Sequence, residues 1–311
     1  MARLGRTDLD VFPLCLGGNV FGWSASEQES FAVLDAYAAA GGNFIDTADS
    51  YSFWVPGHRG GESETIIGRW MAARGARNRV IVATKVGRAP GLNGLSPKTI
   101  RAAAEASLRR LHSDRIDLYY AHADDPNTPI EETLRAFDGL VREGKVRYIA
   151  ASNFTAPRLS EALAISTRDG LSRYVALQPH YNLVHRADYE GPLVELCRRE
   201  DLACLPYFAL AQGFLAGKYR PGVTVESVRA EGARAYLDAR GRRVLGVLDD
   251  VAAAHKVSVA AVSLAWLLSQ PTVAAPIASA RTVAQLAELV QLATLTLTGG
   301  EVQRLTDASL A

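Results

Sequence analysis

The sequence is short of everything that would tie it to a membrane, a secretory route or a polyanion. No apolar run approaches the roughly 20 residues needed to cross a bilayer. The N-terminus, Met1-Ala2-Arg3-Leu4-Gly5-Arg6-Thr7-Asp8, has no signal-peptide core. Cysteine is scarce: Cys15, Cys197 and Cys204 are odd in number, far apart and set in or beside apolar segments, the usage of buried reduced thiols. A cytoplasmic location is expected. Net charge is nearly absent too, with Lys+Arg 34 against Asp+Glu 33. Such a chain has no overall field to gather nucleic acid or anionic lipid, so neither partner is expected. The expected ligand is a small molecule.

What the chain does have is apolar residues, at 48% with 22% charged, enough to build a core. Its 311 residues suit one (β/α)8 barrel, and residues 1–311 are expected to form a single domain. After a short hairpin at residues 3–11, apolar runs of strand length alternate with helical periodicity. Eight strands are expected: 14–17, 43–46, 79–84, 116–120, 148–151, 175–178, 203–207 and 273–277. Helices are expected between them at 27–40, 64–73, 97–111, 129–143 and 157–169. Ser96-Pro97 and Thr128-Pro129 are suitable entries, because proline at the first helical position gives up an amide that has no helical partner. The last third breaks the alternation with a long loop after Tyr207, a charged stretch at 228–243 and extra helices near 244–255, 258–269, 282–292 and 299–309. A loop of that length suggests a cover over a ligand.

Four polar residues lie just past apolar runs: Asp46, Tyr51 shortly beyond it, Lys85 and His122. If those runs are parallel barrel strands, the four side chains meet at the carboxyl rim, where such barrels build their sites. Reducing a carbonyl takes hydride at carbon and a proton at oxygen. A phenol can give the proton, and a neighbouring ammonium is expected to lower its pKa. Asp46 can hold that ammonium, and an imidazole can orient the oxygen. Singly, each residue has a plainer reading: a turn cap, a rim aromatic, a solvated strand end.

Together they form a recognisable set. Asp46-Thr47-Ala48-Asp49-Ser50-Tyr51, Glu62-Ser63-Glu64 with Ile67-Gly68, Ala83-Thr84-Lys85-Val86 and Leu118-Tyr119-Tyr120-Ala121-His122 resemble motifs of the aldo-keto reductases. So do Glu143-Gly144-Lys145-Val146-Arg147-Tyr148, Ala151-Ser152-Asn153-Phe154, Gln178 with Tyr181-Asn182, and Leu210-Ala211-Gln212-Gly213 with Gly217-Lys218-Tyr219. The resemblance implies an NADPH-dependent oxidoreductase on a (β/α)8 barrel, with Asp46, Tyr51, Lys85 and His122 as the catalytic set. It needs no Rossmann fingerprint, and none of the glycine pairs follows one. It places Ser152, Asn153 and Gln178 at the nicotinamide carboxamide and Tyr207 under the ring. Gln212, Gly213 and Lys218 fall at the pyrophosphate, and Ser279, Arg281, Gln285 and Glu288 at the adenosine end, with Arg281 on the 2′-phosphate. Four positions depart from the pattern: Phe208-Ala209 replaces the usual Ser-Pro, Ala278 a glycine and Leu289 an asparagine.

Phe21, Trp23, Phe53 and Trp54 are expected to wall the carbonyl pocket. Asp124-Asp125 beside His122 shows no recurring metal-ligand spacing, so no metal is expected. Two other readings stay open. One is a nicotinamide-binding regulatory subunit resembling potassium-channel β subunits; the other is a barrel isomerase or hydrolase acting on phosphorylated sugars, which leaves the four-residue set without a role. Oligomeric state is not legible.

Overall fold

The computed structural model describes residues 1–310. Its centre is a sheet of eight parallel strands: β3 (Cys15–Gly17), β4 (Phe44–Asp46), β5 (Ile81–Val86), β8 (Ile116–Ala121), β9 (Val146–Ser152), β10 (Tyr174–Gln178), β11 (Ala203–Cys204) and β12 (Ile277–Ala278). Neighbours in chain order pair along the sheet, and β12 returns to pair with β3. The ring closes between its ends through Cys204 N to Thr272 O at 2.8 Å, Ala274 N to Cys204 O at 3.0 Å and Ile277 N to Pro206 O at 2.9 Å. This is the (β/α)8 architecture expected from the alternating pattern.

Two strands are shorter than their apolar runs. The run 203–207 contains Pro206 and the run 273–277 contains Pro276, and a proline has no N–H to donate to a ladder. Pairing there is reduced to single bridges, Cys204 with Val273 and Tyr207 with His180. The N-terminal hairpin of β1 (Ala2–Arg3) and β2 (Asp10–Val11) plugs one end of the barrel. Leu4, Leu9 and Val11 join the inward residues Phe44, Ala83, Leu118, Tyr120, Ala150, Ala176 and Leu205 in one apolar cluster.

The helices pack outside in a second, larger core. Ser96 caps α3 (Pro97–Arg110) as the sequence suggests, accepting from Thr99 N. Thr128 does not cap α4 (Ile130–Arg142); Pro129 takes the cap position and the Thr128 hydroxyl donates to Asp125 at 2.7 Å. Helix α2 (Glu62–Arg74) crosses the end of α3 so closely that a side chain at Gly68 would strike the backbone of Arg110 and Leu111. The charged stretch becomes α7 (Ala230–Arg234) and the start of α8 (Ala239–His255), five residues ahead of the expected start at 244. A small ribbon, β6 (Arg88–Ala89) with β7 (Leu92–Asn93), and helix α6 (Pro192–Glu200) were not expected.

No single helix among the described residues is long and apolar enough to cross a membrane; one pair, α8 and α9 (Val259–Leu268), passes only jointly and is bent by 98°.

Candidate active site

Alternation along the strands decides what reaches the centre. Side chains two residues apart share a face, so Asp46 follows inward Phe44, Lys85 follows Ala83, and Gln178 follows Ala176 into the carboxyl end of the barrel. There Lys85, fully buried, spends its three protons on Asp46 Oδ2 at 2.6 Å, the Thr47 carbonyl at 2.8 Å and the Tyr51 hydroxyl at 2.8 Å. The Tyr51 hydroxyl also donates to Asp46 Oδ2 at 3.2 Å. Gln178 Nε2 donates to the other oxygen, Asp46 Oδ1, at 2.9 Å. The Lys85 ammonium lies 4.6 Å from the Tyr51 ring centre. His122 is on the next rim position, its ring 6.3 Å from that of Tyr51, with Nδ1 buried and unpaired among the described residues. The structure therefore joins all four sequence-selected residues, with Gln178 as a fifth member.

The electrostatics correct one expectation. Tyr51 does not sit below its usual pKa: burial, and then the Asp46 carboxylate, push it well above that range. Lys85 is lowered by burial, against the opposing pull of Asp46. The ammonium is largely spent on Asp46, so Tyr51 is held as a neutral phenol bonded to a cation. His122 is pushed well below its ordinary value by burial, then by the fields of Lys85 and Arg88, and is a neutral imidazole.

A cavity of about 710 Å³ opens on this group and runs to the β12 end. All eleven residues expected to hold a cofactor line it: Ser152, Asn153, Gln178, Tyr207, Gln212, Gly213, Lys218, Ser279, Arg281, Gln285 and Glu288. Their bonding refines the assignments. Asn153, in the left-handed region at φ 56°, is tied up by donating to the His122 carbonyl and accepting from the Tyr207 hydroxyl, so it braces Tyr207. The Tyr207 ring is stacked on His180 at 5.3 Å. Ser152 Oγ donates to the Gln178 carbonyl and Ser279 Oγ to Asn19. Gln285 accepts from Arg281 N.

Lys218, Arg229 and Arg281 lie in one another's fields and form no ion pair among the described residues. Three unpaired cations around one cavity are donors matched to phosphates; Gln212 and Gly213, both at positive φ, shape its wall, with the Gly213 amide donated to the Leu210 carbonyl at 2.8 Å. A dinucleotide fits this arrangement. Helix α7 closes over Gln212, whose amide would be struck by any side chain at Gly232.

The aromatic residues divide. Trp54 lines the main cavity and meets Trp23 edge-on at 5.4 Å; both line an adjoining cavity of about 660 Å³ with Phe208 and Arg229. Phe21 is not a pocket wall: a tight turn at Gly22 (φ 73°) directs it into the core, where it is fully buried. Phe53 lies outside, 45% exposed against Trp54 at 5.5 Å, and lines neither cavity. The sequence reading missed Asn19, Arg88 and Arg229 at the cavity wall. Arg229 sits in a charged stretch where nothing in the sequence separates it from its neighbours. Asp124 is gripped by Arg158 at 2.8 and 2.9 Å and Asp125 caps the turn at Leu95 N; among the described residues no three potential ligands converge on a metal position.

The Aldo/keto reductase family profile matches residues 13–309. The chain belongs to that family of carbonyl-acting oxidoreductases. It is 35% identical over 303 residues to the uncharacterized oxidoreductase YrpG of Bacillus subtilis, covering 94% of this chain and 91% of that protein. It is 32% identical over 316 residues to norsolorinic acid reductase B of Aspergillus parasiticus, covering 96% and 81%. It is 34% identical over 298 residues to a probable voltage-gated potassium channel subunit beta of Oryza sativa subsp. japonica, covering 92% and 88%.

Behind the site, Asp49 is buried with both carboxyl oxygens unpaired. Its neighbour Glu64 is satisfied by Thr84 at 2.5 Å and Arg110 at 2.6 Å. Burial, then Glu64, raise Asp49 to about 8, while Arg110 and Lys85 oppose. A carboxyl with a folded pKa above its unfolded value holds a proton in the native state that the unfolded chain releases, so it lowers stability as pH climbs from the unfolded pKa towards about 8. Asp49→Asn should therefore gain stability over wild type as pH rises from about 5 to about 8, reaching about 1–3 kcal/mol. Urea denaturation at several pH values measures this, and parallel curves would refute it.

Proposed function

We propose that this chain reduces aldehydes or ketones to alcohols with NADPH, Tyr51 acting as general acid. The observation that carries the reading is the Tyr51 hydroxyl, bonded to the buried Lys85 ammonium at 2.8 Å on the wall of a cavity shared with His122. Bound nicotinamide supplies the hydride to the carbonyl carbon. Tyr51 gives its proton to the carbonyl oxygen as negative charge develops there. Lys85 stabilises the phenolate left behind, and Asp46, held in turn by Gln178, keeps Lys85 in place. Neutral His122 donates a hydrogen bond that orients the substrate oxygen.

Tyr207 offers its ring to the nicotinamide, and Ser152 with the free oxygen of Gln178 face the carboxamide. Lys218 and Arg229 pair with the pyrophosphate, and Arg281 with the 2′-phosphate. Trp23, Trp54 and Phe208 suit flat carbonyl substrates, and the similarity to a protein named norsolorinic acid reductase B supports a reductase. The chain acts as one barrel unit, and its three buried free thiols fit a cytoplasmic setting. The similarity to a channel β subunit favours a second reading, a nicotinamide-binding regulatory subunit with little turnover.

Loss of NADPH absorbance across a carbonyl panel separates the two readings. Tyr51→Phe should lower turnover by about 10² to 10⁴-fold with little change in NADPH affinity; near-normal turnover would refute the acid assignment.

Arg281→Ala should weaken NADPH about ten- to a hundredfold more than NADH, since a charge-assisted contact is worth about 1.5–3 kcal/mol. Fluorescence titration of both cofactors tests this. Equal losses would make Arg281 a support for the loop rather than a reader of the phosphate.

A further inference from the structure

Four cations line the main cavity: Arg88, Lys218, Arg229 and Arg281. The last three share one region, each within reach of another's field. Arg88 stands apart from them. It lies three residues past Lys85 on the β6–β7 ribbon, where its backbone pairs with Asn93, and its field falls on His122 and Tyr207 instead. It is thus a cation at the reacting end of the cavity, away from the cluster suited to phosphates.

Arg88 has no hydrogen bond or ion pair from its guanidinium among the described residues. The acids of the adjoining loop are already committed: Asp124 to Arg158, and Asp125 to the Leu95 amide at 2.7 Å and the Thr128 hydroxyl at 2.7 Å. The base of the side chain is fixed by the ribbon, and Gly87, at φ 112°, turns the chain out from β5 to place it there. A guanidinium anchored only through its backbone, with its donors free, can present a fork to a carboxylate.

We propose that Arg88 determines substrate specificity by seating a carboxylate carried on the carbonyl compound, a reading that rests on the carbonyl reduction proposed above. The preferred substrate is then a flat oxo acid: its ring or unsaturated chain lies towards Trp54, its carbonyl reaches Tyr51 and His122, and its carboxylate meets Arg88.

The test compares para-formylbenzoate with its neutral methyl ester as substrates of the full-length wild type, Arg88→Met and Arg88→Lys, with NADPH saturating. The wild type should favour the carboxylate in kcat/KM. Arg88→Met should cut that preference about five- to tenfold, through KM rather than kcat, and Arg88→Lys should restore part of it. The preference should also shrink as salt is raised, because the guanidinium is exposed. A ratio of carboxylate to ester unchanged between wild type and Arg88→Met, with both compounds turned over, would overturn the role of Arg88 and leave the reductase intact. No turnover of either compound would overturn the reductase reading and this inference with it.

Discussion

A fully buried ammonium paired with a buried carboxylate is the constraint around which the rest is arranged. Lys85 has no water to solvate it, so each of its protons needs a fixed acceptor, and the fold supplies Asp46, Thr47 and Tyr51. Such pairs are seldom a net source of stability, yet removing one partner generally costs about 3–5 kcal/mol because the other charge is left alone. The pair is better understood as a device that sets geometry. It draws together β4, β5 and the loop after β4, and Gln178 adds β10 from across the barrel.

That geometry explains the protonation states. Burial is the larger cause of the raised Tyr51 pKa, and Asp46, bonded to both the cation and the phenol, adds its negative charge in the same direction. The result is a proton donor that remains protonated on the cavity wall, with a cation in contact to meet the charge left when the proton goes. Neutral His122 completes a polar end to a cavity whose other end is cationic. The division of charge largely follows the division of labour: neutral proton donors where hydride and proton move, with Arg88 as the one free cation beside them among the described residues, and the cluster of Lys218, Arg229 and Arg281 where phosphates belong.

Much of this was legible in the sequence. Eight apolar runs gave eight strands, and period-two alternation brought Asp46, Lys85 and Gln178 to one end. The misses have local causes. Pro206 and Pro276 shortened two strands because the pattern of apolar residues carries no record of a missing N–H. Phe21 looked like a wall because it follows the first strand, but Gly22 reverses the chain and sends it inward. The sign of the Tyr51 shift was missed because a neighbour's charge can be named from sequence while burial, the larger influence here, cannot. Arg229 and Arg88 were missed because neither carries a local pattern; what distinguishes them is the absence of an acid partner in three dimensions.

The most direct test of the central claim is the pH dependence of the chemical step, followed as single-turnover NADPH oxidation with an aryl aldehyde in stopped flow. With Tyr51 held above its usual range and His122 below its own, the rate should be flat from about pH 6.5 to about pH 9. A rate that falls through an apparent pKa inside that window, with the fall abolished by Tyr51→Phe, would show a phenol already ionising near neutrality and contradict the account.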